Sequence, residues 1–582
     1  MSGHHVIVIG GGLGGLWATL GLAATGHRVT LFSLFEVMRS HSVCAQGGIN
    51  AVLDMKGQHD SVWQHFVDTI KGGSYMANQP PVKSMCDDAP GLIHTFERMG
   101  VTFSRTPEGL LDQRLFGGVK NKRTCFAGAS TGQQLMYGVD QQVRRMETEG
   151  KVEKHEWWEF LSIVKDADGI CRGIVAMDLR SLEVRAFRAD AVVLASGGLG
   201  QIYTPKTTCS TNSTGAAASR VYQQGALFAN GEFFQFHPTA MLGEDKTRLM
   251  SEAARGEGGR IWVPKNPGDP REPKQIPESE RFYFLEEWYP SYGNTVARDI
   301  ASRAIWKVTR EMGLVPAAHY AMGGLWVDFE KDPNNGGIRP GSPRNHATNI
   351  PGLYACGECD YAYHGANRLG ANSLLSASYS GRVASEAVAA YLAGLSLDSE
   401  ALPAEPFDAE VARQSGINQR FMESDGDQNP YRLHQELGAL MTAKVGVVRD
   451  NAELDAALDE LAELEQRFAR LDLSENSAWA NQSLAYARQV FDMIKLAEVM
   501  AASARARDEC RGAHHKPEFS RPIPEGKFPG DPEFEAYREQ WKAKNANWLK
   551  TTIAEQSPSG PRIRLEPVDL SLLEPEQPRD YR

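Results

Sequence analysis

The chain has 582 residues, with 62 Lys and Arg against 73 Asp and Glu, a formal net charge of −11. Hydrophobic content of 42% and charged content of 23% exclude disordered and fibrous classes, and the acidic balance argues against a phosphate-backbone binder. The 56 Gly mark many tight turns or close backbone approaches, and the 8 scattered Cys form no disulfide framework, so a reducing compartment is expected. At roughly 150 residues per domain the length suggests about four domains.

From Val6 to Gly26 no residue is charged, which on paper is long enough to span a bilayer. Gly10, Gly11, Gly12, Gly14 and Gly15 interrupt the stretch, and no Lys or Arg precedes it as a signal peptide requires. It reads instead as strand, turn and helix, and the chain is not expected to cross a membrane. Residues 6–9 are β-branched, as a buried parallel strand should be, and residues 16–24 have helical character. Between them Gly10, Gly12 and Gly15 form G-x-G-x-x-G. Gly10 permits the tight turn, Gly12 a close approach of backbone to a pyrophosphate, and Gly15 close packing of helix on strand. The helix N-terminus offers N–H groups and positive dipole to an anion. A second strand, residues 29–32, ends at Ser33 rather than at the acidic residue usual for a ribose contact. Ser33 can still bond a hydroxyl.

Two further strands end in similar turns. Residues 191–195 run into Ser196, Gly197 and Gly198, and residues 352–356 run into Gly357 and Glu358. Strand ends face the ligand crevice in open α/β sheets, so Gly197 and Glu358 are expected to border the same cofactor. Cys356 and Cys359 have no second CxxC pair and lie at a strand end, so no metal site is expected.

Polar motifs lie around these strands. They are Phe236-His237-Pro238-Thr239, Ser251-Glu252 with Arg255, Ala297-Arg298-Asp299, His319-Tyr320, and Asn367-Arg368 followed by Asn372-Ser373. Singly, each has a bland reading as a solvated charge or a satisfied core group. Together, Arg, His and hydroxyl groups in Gly-rich turns suit a small molecule with two carboxylates, which guanidinium grips bidentately. After residue 395, Pro403 and Pro406 mark a linker. Leu454, Ala457, Leu458, Leu461 and Leu464 then recur at helical spacing, and residues 436–444 and 480–506 predict further helices of an antiparallel bundle. From Pro517 the chain turns Pro-rich and is expected to be irregular.

Along nearly its whole length the sequence resembles the flavoprotein subunits of succinate dehydrogenase and fumarate reductase, the respiratory complex II family. Residues 39–48 (RSHSVCAQGG) are similar to the family segment whose histidine carries FAD covalently. The resemblance thus implies FAD attached through His41, with Ser40, Gln46, Gly47, Gly48, Ser373 and Leu374 also around the cofactor. It implies that His237, Ser251, His319 and Arg368 hold the dicarboxylate, with Phe116 lining its pocket. Arg298 matches the proton-transferring arginine, with Glu252 and Arg255 as its relay to solvent. Ser251 stands where the family usually has Thr and keeps the hydroxyl. Ala216 stands where the family often has an Asp, so that cofactor contact is dropped. Only twenty residues separate Arg298 from His319, an interval that is longer in relatives; either the cap is pruned or a segment is missing from the sequence.

The implied architecture is α/β. A discontinuous Rossmann-like FAD-binding domain (1–237 and 319–395) carries an α+β capping domain (238–318, short for the family), followed by a helical bundle (404–516) and an irregular tail (517–582). The implied activity is the interconversion of succinate and fumarate, with hydride exchanged with FAD and the second hydrogen moved as a proton by Arg298. An iron–sulfur subunit and a heme b- or quinone-binding membrane anchor are the implied partners, no nucleic acid is involved, and the location is the cytoplasmic face of a bacterial inner membrane. Succinate oxidation is the favoured direction. Fumarate reductase, and further off an L-aspartate oxidase with noncovalent FAD, are the alternatives, and a noncatalytic flavin-dependent factor is the reading from another class.

Overall fold

The structure, a computed structural model, describes residues 3–241, 247–310, 316–396, 398–576 and 578–581. The β-branched run at the start forms strand β1 (His5–Ile9), with Val6, Ile7 and Val8 fully buried. It lies at the centre of a parallel sheet with β2 (Arg28–Ser33), β3 (Val152–Glu156), β4 (Ala191–Leu194) and β5 (Leu353–Ala355), in the order β5-β4-β1-β2-β3. Strand order reverses at β1, so the C-terminal ends of β1, β2, β4 and β5 open on one crevice. Helix α1 (Leu13–Ala24) starts three residues earlier than its apolar pattern suggests, because Gly14 and Gly15 belong to its first turn. It packs against α2 (Asn372–Ala393) so tightly that a Cβ on Gly381 would lie 2.2 Å from the Gly14 carbonyl oxygen.

Two short antiparallel strands, Phe234–His237 and Ala317–Ala321, join chain segments some eighty residues apart and bring His237 beside His319. The residues between them include a small core of their own, with Phe284, Leu285, Val296, Ala301 and Ala304. Helix Arg298–Arg310 belongs to this cap and starts at Arg298 itself. The question of a pruned or missing segment before His319 falls on residues 311–315, outside the described residues.

Helices Glu405–Glu423, Pro430–Lys444, Asn451–Phe468 and Gln482–Ala506 make up the following region. Leu454, Ala457, Leu461 and Leu464 are its buried stripe, as their spacing requires. The tail is more regular than its proline content suggests. Pro532 occupies the first turn of helix Pro532–Trp548, where its missing N–H costs nothing, and strands Lys550–Glu555 and Arg562–Pro567 form a hairpin. That hairpin extends the sheet of Phe228–Ala229 and Gly324–Leu325, with Ile553 opposite Ala229 and fully buried. Propagation into an existing sheet edge stabilises strands that no local pattern announces.

One buried ion network joins these parts. Arg507, fully buried, pairs with Glu232 at 2.5 Å and with Glu509 at 2.8 Å, and it donates to the carbonyls of Trp548 and Lys550. Glu509 in turn receives Arg511 at 2.8 Å. Arg507→Met leaves the buried Glu232 without its ion-pair partner and Glu509 with Arg511 alone at hydrogen-bond distance, and should cost about 3–5 kcal/mol, against about 0.5 kcal/mol for an ordinary surface change. A urea midpoint equal to wild type would contradict this assignment.

Candidate functional site

A cavity of about 470 Å³ begins at the glycine turn after β1 and ends among the histidines and arginines of the cap junction. Gly10 has φ +116°, and a Cβ there would meet the Ala195 carbonyl oxygen at 2.2 Å. Gly15 does not line the cavity; it lets α1 pass over the Gly10 carbonyl, 1.8 Å from where its Cβ would be. The turn is therefore closed to any larger residue at both places. Gly10 and Gly12 line the cavity, as do Ser33 beyond β2, Gly197 and Gly198 beyond β4, and Glu358 beyond β5. From the loop after β2, Ser40, His41, Gln46, Gly47 and Gly48 line it too. Arg114 fastens this loop by donating to the Gly47 and Gln46 carbonyls.

Two helices point their N-termini at this cavity. α1 starts after Gly12 and α2 after Ala371; neither N-cap residue caps its helix with a side chain, and Ser42 Oγ accepts from the Leu13 N–H at 3.2 Å. Ser373 and Leu374, in the first turn of α2, line the wall. N–H groups and aligned dipoles at these helix ends favour a ligand with anionic or electron-rich groups at two places, which a dinucleotide with a pyrophosphate and a ring system bearing carbonyl oxygens meets. Glu358 accepts from the Ala321 N–H at 3.1 Å, and burial pushes its carboxyl up to about 7. Glu36 lies beyond the end of β2, outside the position at which the sequence pattern places a ribose acceptor. It also lines the cavity, with Oε2 3.5 Å from Arg39 Nη1, and adds a carboxylate acceptor beside the Ser33 hydroxyl. His41 is placed on the same wall, where its Nδ1 accepts from the Ser210 N–H at 3.3 Å.

The far end of the cavity is built from charges. Glu252 Oε2 receives Arg298 Nε at 2.9 Å and Nη2 at 2.6 Å, and Glu252 Oε1 receives Arg255 Nη2 at 2.8 Å. All three are buried, at 5% exposure or less. Burial would raise the Glu252 carboxyl, but Arg298 and Arg255 outweigh it and hold it at about 2. Arg255 does not line the cavity; it stands behind Glu252 and donates to the Asn294 carbonyl at 2.8 Å. The Phe116-Gly117-Gly118 segment presses on this group. A Cβ on Gly117 would lie 2.2 Å from Glu252 Oε1, while Phe116 lines the cavity.

Gln235, which sequence reasoning passed over because it lies in an unremarkable strand, accepts from Arg298 Nη1 at 3.0 Å and donates to the Arg368 carbonyl at 2.8 Å. Arg368 stacks on the Tyr320 ring, 4.4 Å from its centroid, and its buried Nε has no partner. Burial and the neighbouring Arg298 pull its pKa down to about 9, so it remains a cation at neutral pH. Three arginines against one glutamate leave two positive charges. His237 and His319 stand with ring centroids 4.8 Å apart, and burial pushes both well below the ordinary imidazole range. The backbone of Thr239 engages His237 Nδ1, and Thr208 Oγ1 lies 2.7 Å from His319 Nδ1. In both rings Nδ1 is the nitrogen engaged by protein groups, and whether Nε2 donates or accepts follows from the tautomer. Ser251 lines the same wall. Two uncompensated positive charges, two neutral imidazoles and a hydroxyl match a small dianion. Cys356 and Cys359 stay buried, and Cys359 Sγ donates to the Leu194 carbonyl at 3.2 Å.

Comparison with known proteins places this geometry. A family model described as FAD binding domain matches residues 5–317 and 309–374, and one described as fumarate reductase flavoprotein C-term matches residues 434–581. The first is matched in two stretches that meet in the short Arg298–His319 interval. The succinate dehydrogenase flavoprotein subunit of Bacillus subtilis is 46% identical over 629 aligned positions, covering 100% of this chain and 99% of that protein. The fumarate reductase flavoprotein subunit of Escherichia coli is 30% identical, covering 97% and 93%. Among solved structures, a single-residue variant of the Escherichia coli quinol fumarate reductase subunit FrdA superposes with a TM-score of 0.82, at 28% identity and full coverage of both chains. The chain belongs to the succinate dehydrogenase and fumarate reductase flavoprotein family, FAD-dependent oxidoreductases.

Proposed function

We propose that this chain interconverts succinate and fumarate on FAD covalently held by His41 and passes the electrons to an iron–sulfur subunit on a heme b- or quinone-binding membrane anchor. The observation that carries the reading is the two-charge excess at Arg298, Arg255, Arg368 and Glu252, beside two neutral histidines. It fits a C4 dianion and leaves little room for an added ammonium group, which disfavours an amino-dicarboxylate. The residues around the cavity fit FAD: glycines where backbone must approach closely, two helix N-termini, and carboxylates at Glu36 and Glu358. When bound, FAD supplies the two-electron partner for a hydride.

Arg368 grips one carboxylate of the substrate, and His237, His319 and Ser251 hold the other groups against the wall. Arg298 is the group that moves the second hydrogen as a proton. An arginine is a poor base because its pKa exceeds about 12. Here Glu252 accepts from two of its nitrogens and offsets the charge change, while Arg255 continues the relay toward Asn294. Enclosure under the cap strengthens each of these contacts by excluding water.

Succinate oxidation is the direction favoured by the 46% identity to a protein named for it. Among the described residues no helix is long and apolar enough to cross a membrane, in keeping with a peripheral subunit on the cytoplasmic face of a bacterial inner membrane. A discontinuous flavin domain (1–237 and 319–395), a cap (238–318), a helical domain (404–516) and a tail (517–582) are the units of this reading.

Denatured wild-type protein should show flavin fluorescence on a gel, and His41→Ser should lose it; fluorescence in neither would return the chain to a noncovalent flavoprotein. Arg298→Ala should lower succinate-dependent dye reduction about 10³-fold with FAD content unchanged, and a small effect would favour the noncatalytic reading. Glu252 ionises at about 2 against an ordinary 4.5, so its contribution is complete above about 4.5 and lost as pH falls toward 2. Glu252→Gln should be less stable by on the order of 3 kcal/mol at pH 6, and the gap should close between pH 4.5 and 2. A gap that does not change with pH would remove Glu252 from the ion triad.

A further inference from the structure

Asp299 follows Arg298 in the first turn of helix Arg298–Arg310, and its side chain is wholly buried. Two cations reach it. Arg303, one turn along the same helix, lies at 3.4 Å and also donates to the Gly512 carbonyl at 2.7 Å. The other is Arg579, which bonds both oxygens of Asp299, with Nη1 at 3.2 Å from Oδ1, and donates from the same nitrogen to the Gly72 carbonyl at 3.1 Å. Gly72 and Gly512 both lie outside the cap. The carboxylate next to Arg298 is therefore tied through two arginines to two segments outside the cap, whose neighbours Gly73 and Ala513 both bond the backbone of Ala366, two residues before Arg368.

The chain around Arg579 is anchored at both ends. Upstream, Gln79 accepts from the Leu572 and Leu573 N–H groups at 2.7 and 2.8 Å, and Asn78 accepts from the Asp569 N–H at 2.8 Å. Gln79 is fully buried at the start of helix Gln79–Arg98, so this grip belongs to the flavin-binding side. Downstream, Tyr581 is only 9% exposed and joins the core of the cap with Phe284, Leu285 and Val296, its ring edge-on to Tyr292 at 4.9 Å. The Tyr292 carbonyl accepts from the Thr295 hydroxyl, and the Thr295 carbonyl accepts from the Gly118 N–H beside the substrate wall.

We propose that Arg579 and Tyr581 are positioning residues: they strap the cap to the flavin-binding region and set the place of Arg298 at the cavity. The inference rests on the reading of Arg298 as the proton-transferring group. Burial of the Arg579–Asp299 pair makes its geometry stiff, and loss of Arg579 leaves the buried Asp299 with only the 3.4 Å contact to Arg303. A helix start displaced by about 1 Å would be felt mainly in the step Arg298 performs, by up to about 10²-fold.

The test compares full-length, flavin-loaded wild type with Arg579→Gln, Arg579→Lys, Tyr581→Ala and Arg298→Ala in fumarate reduction by a reduced viologen dye. The expected result is a tenfold or greater fall in kcat for Arg579→Gln, roughly in line with the bound above, with FAD content and gel fluorescence at wild-type levels. Its solvent deuterium isotope effect on kcat should rise, because proton transfer becomes slower relative to other steps, and Arg579→Lys should recover part of the rate. Tyr581→Ala, which keeps the ion pair, should raise amide exchange in residues 281–309 with the parallel sheet unchanged. Wild-type kcat in both Arg579→Gln and Tyr581→Ala overturns the strap, as does a fall in kcat that only follows flavin loss or leaves the isotope effect unmoved. If Arg298→Ala itself retains activity, the underlying reading of Arg298 fails, and the strap as a positioning device fails with it.

Discussion

A buried carboxylate held between two guanidinium groups is the arrangement on which the rest of this protein depends. Glu252 is buried, so it persists as an anion only because Arg298 and Arg255 both bond it. The reverse holds as well, since burying either arginine without Glu252 would cost several kcal/mol. The triad still leaves one positive charge, and Arg368 adds a second. Among the described residues no further carboxylate pairs with these arginines at the cavity, and the excess suits a dianion. Binding and stability thus draw on the same electrostatic imbalance.

The fold serves this imbalance by bringing together elements that have little contact in sequence. Strands Phe234–His237 and Ala317–Ala321 pair His237 with His319 across the cap insertion, and the helix that starts at Arg298 returns over them. Gln235 then connects Arg298 to the backbone of Arg368. The parallel sheet supplies the opposite wall, because all its strands end on one side and the glycine turn leaves room for a cofactor there. The tail closes the assembly twice, once as a hairpin on a sheet edge and once through Arg579 and Tyr581 at the cap.

Much of the site was legible because its signals are local. The turn of Gly10, Gly12 and Gly15 follows from backbone sterics over six residues, and the buried stripe of Asn451–Phe468 follows from a 3.6-residue period. Motif resemblance added His41, His237, Arg298, His319 and Arg368, all of which line one cavity. Glu36 and Gln235 escaped notice for opposite reasons. Glu36 lies past the position where an acidic residue is usually sought, and Gln235 has no local feature that separates it from a core strand residue.

The sequence by itself determined the glycine turn after the first strand, the helical region and the chemical identity of the charged and imidazole groups that gather at the cavity, because each is encoded within a few residues of chain. Tertiary structure alone decided how those groups are charged and held. Whether Glu252 meets one arginine or two, and whether Arg368 stays without a carboxylate, depends on packing between distant segments. The same holds for the tail, where prolines suggested an irregular chain and sheet pairing made a hairpin. Arg579 meets Asp299 across 280 residues, a distance over which no periodicity or local steric rule can operate. Such partners are fixed by which buried charges find each other when the core closes, since an unpaired one is too costly to leave.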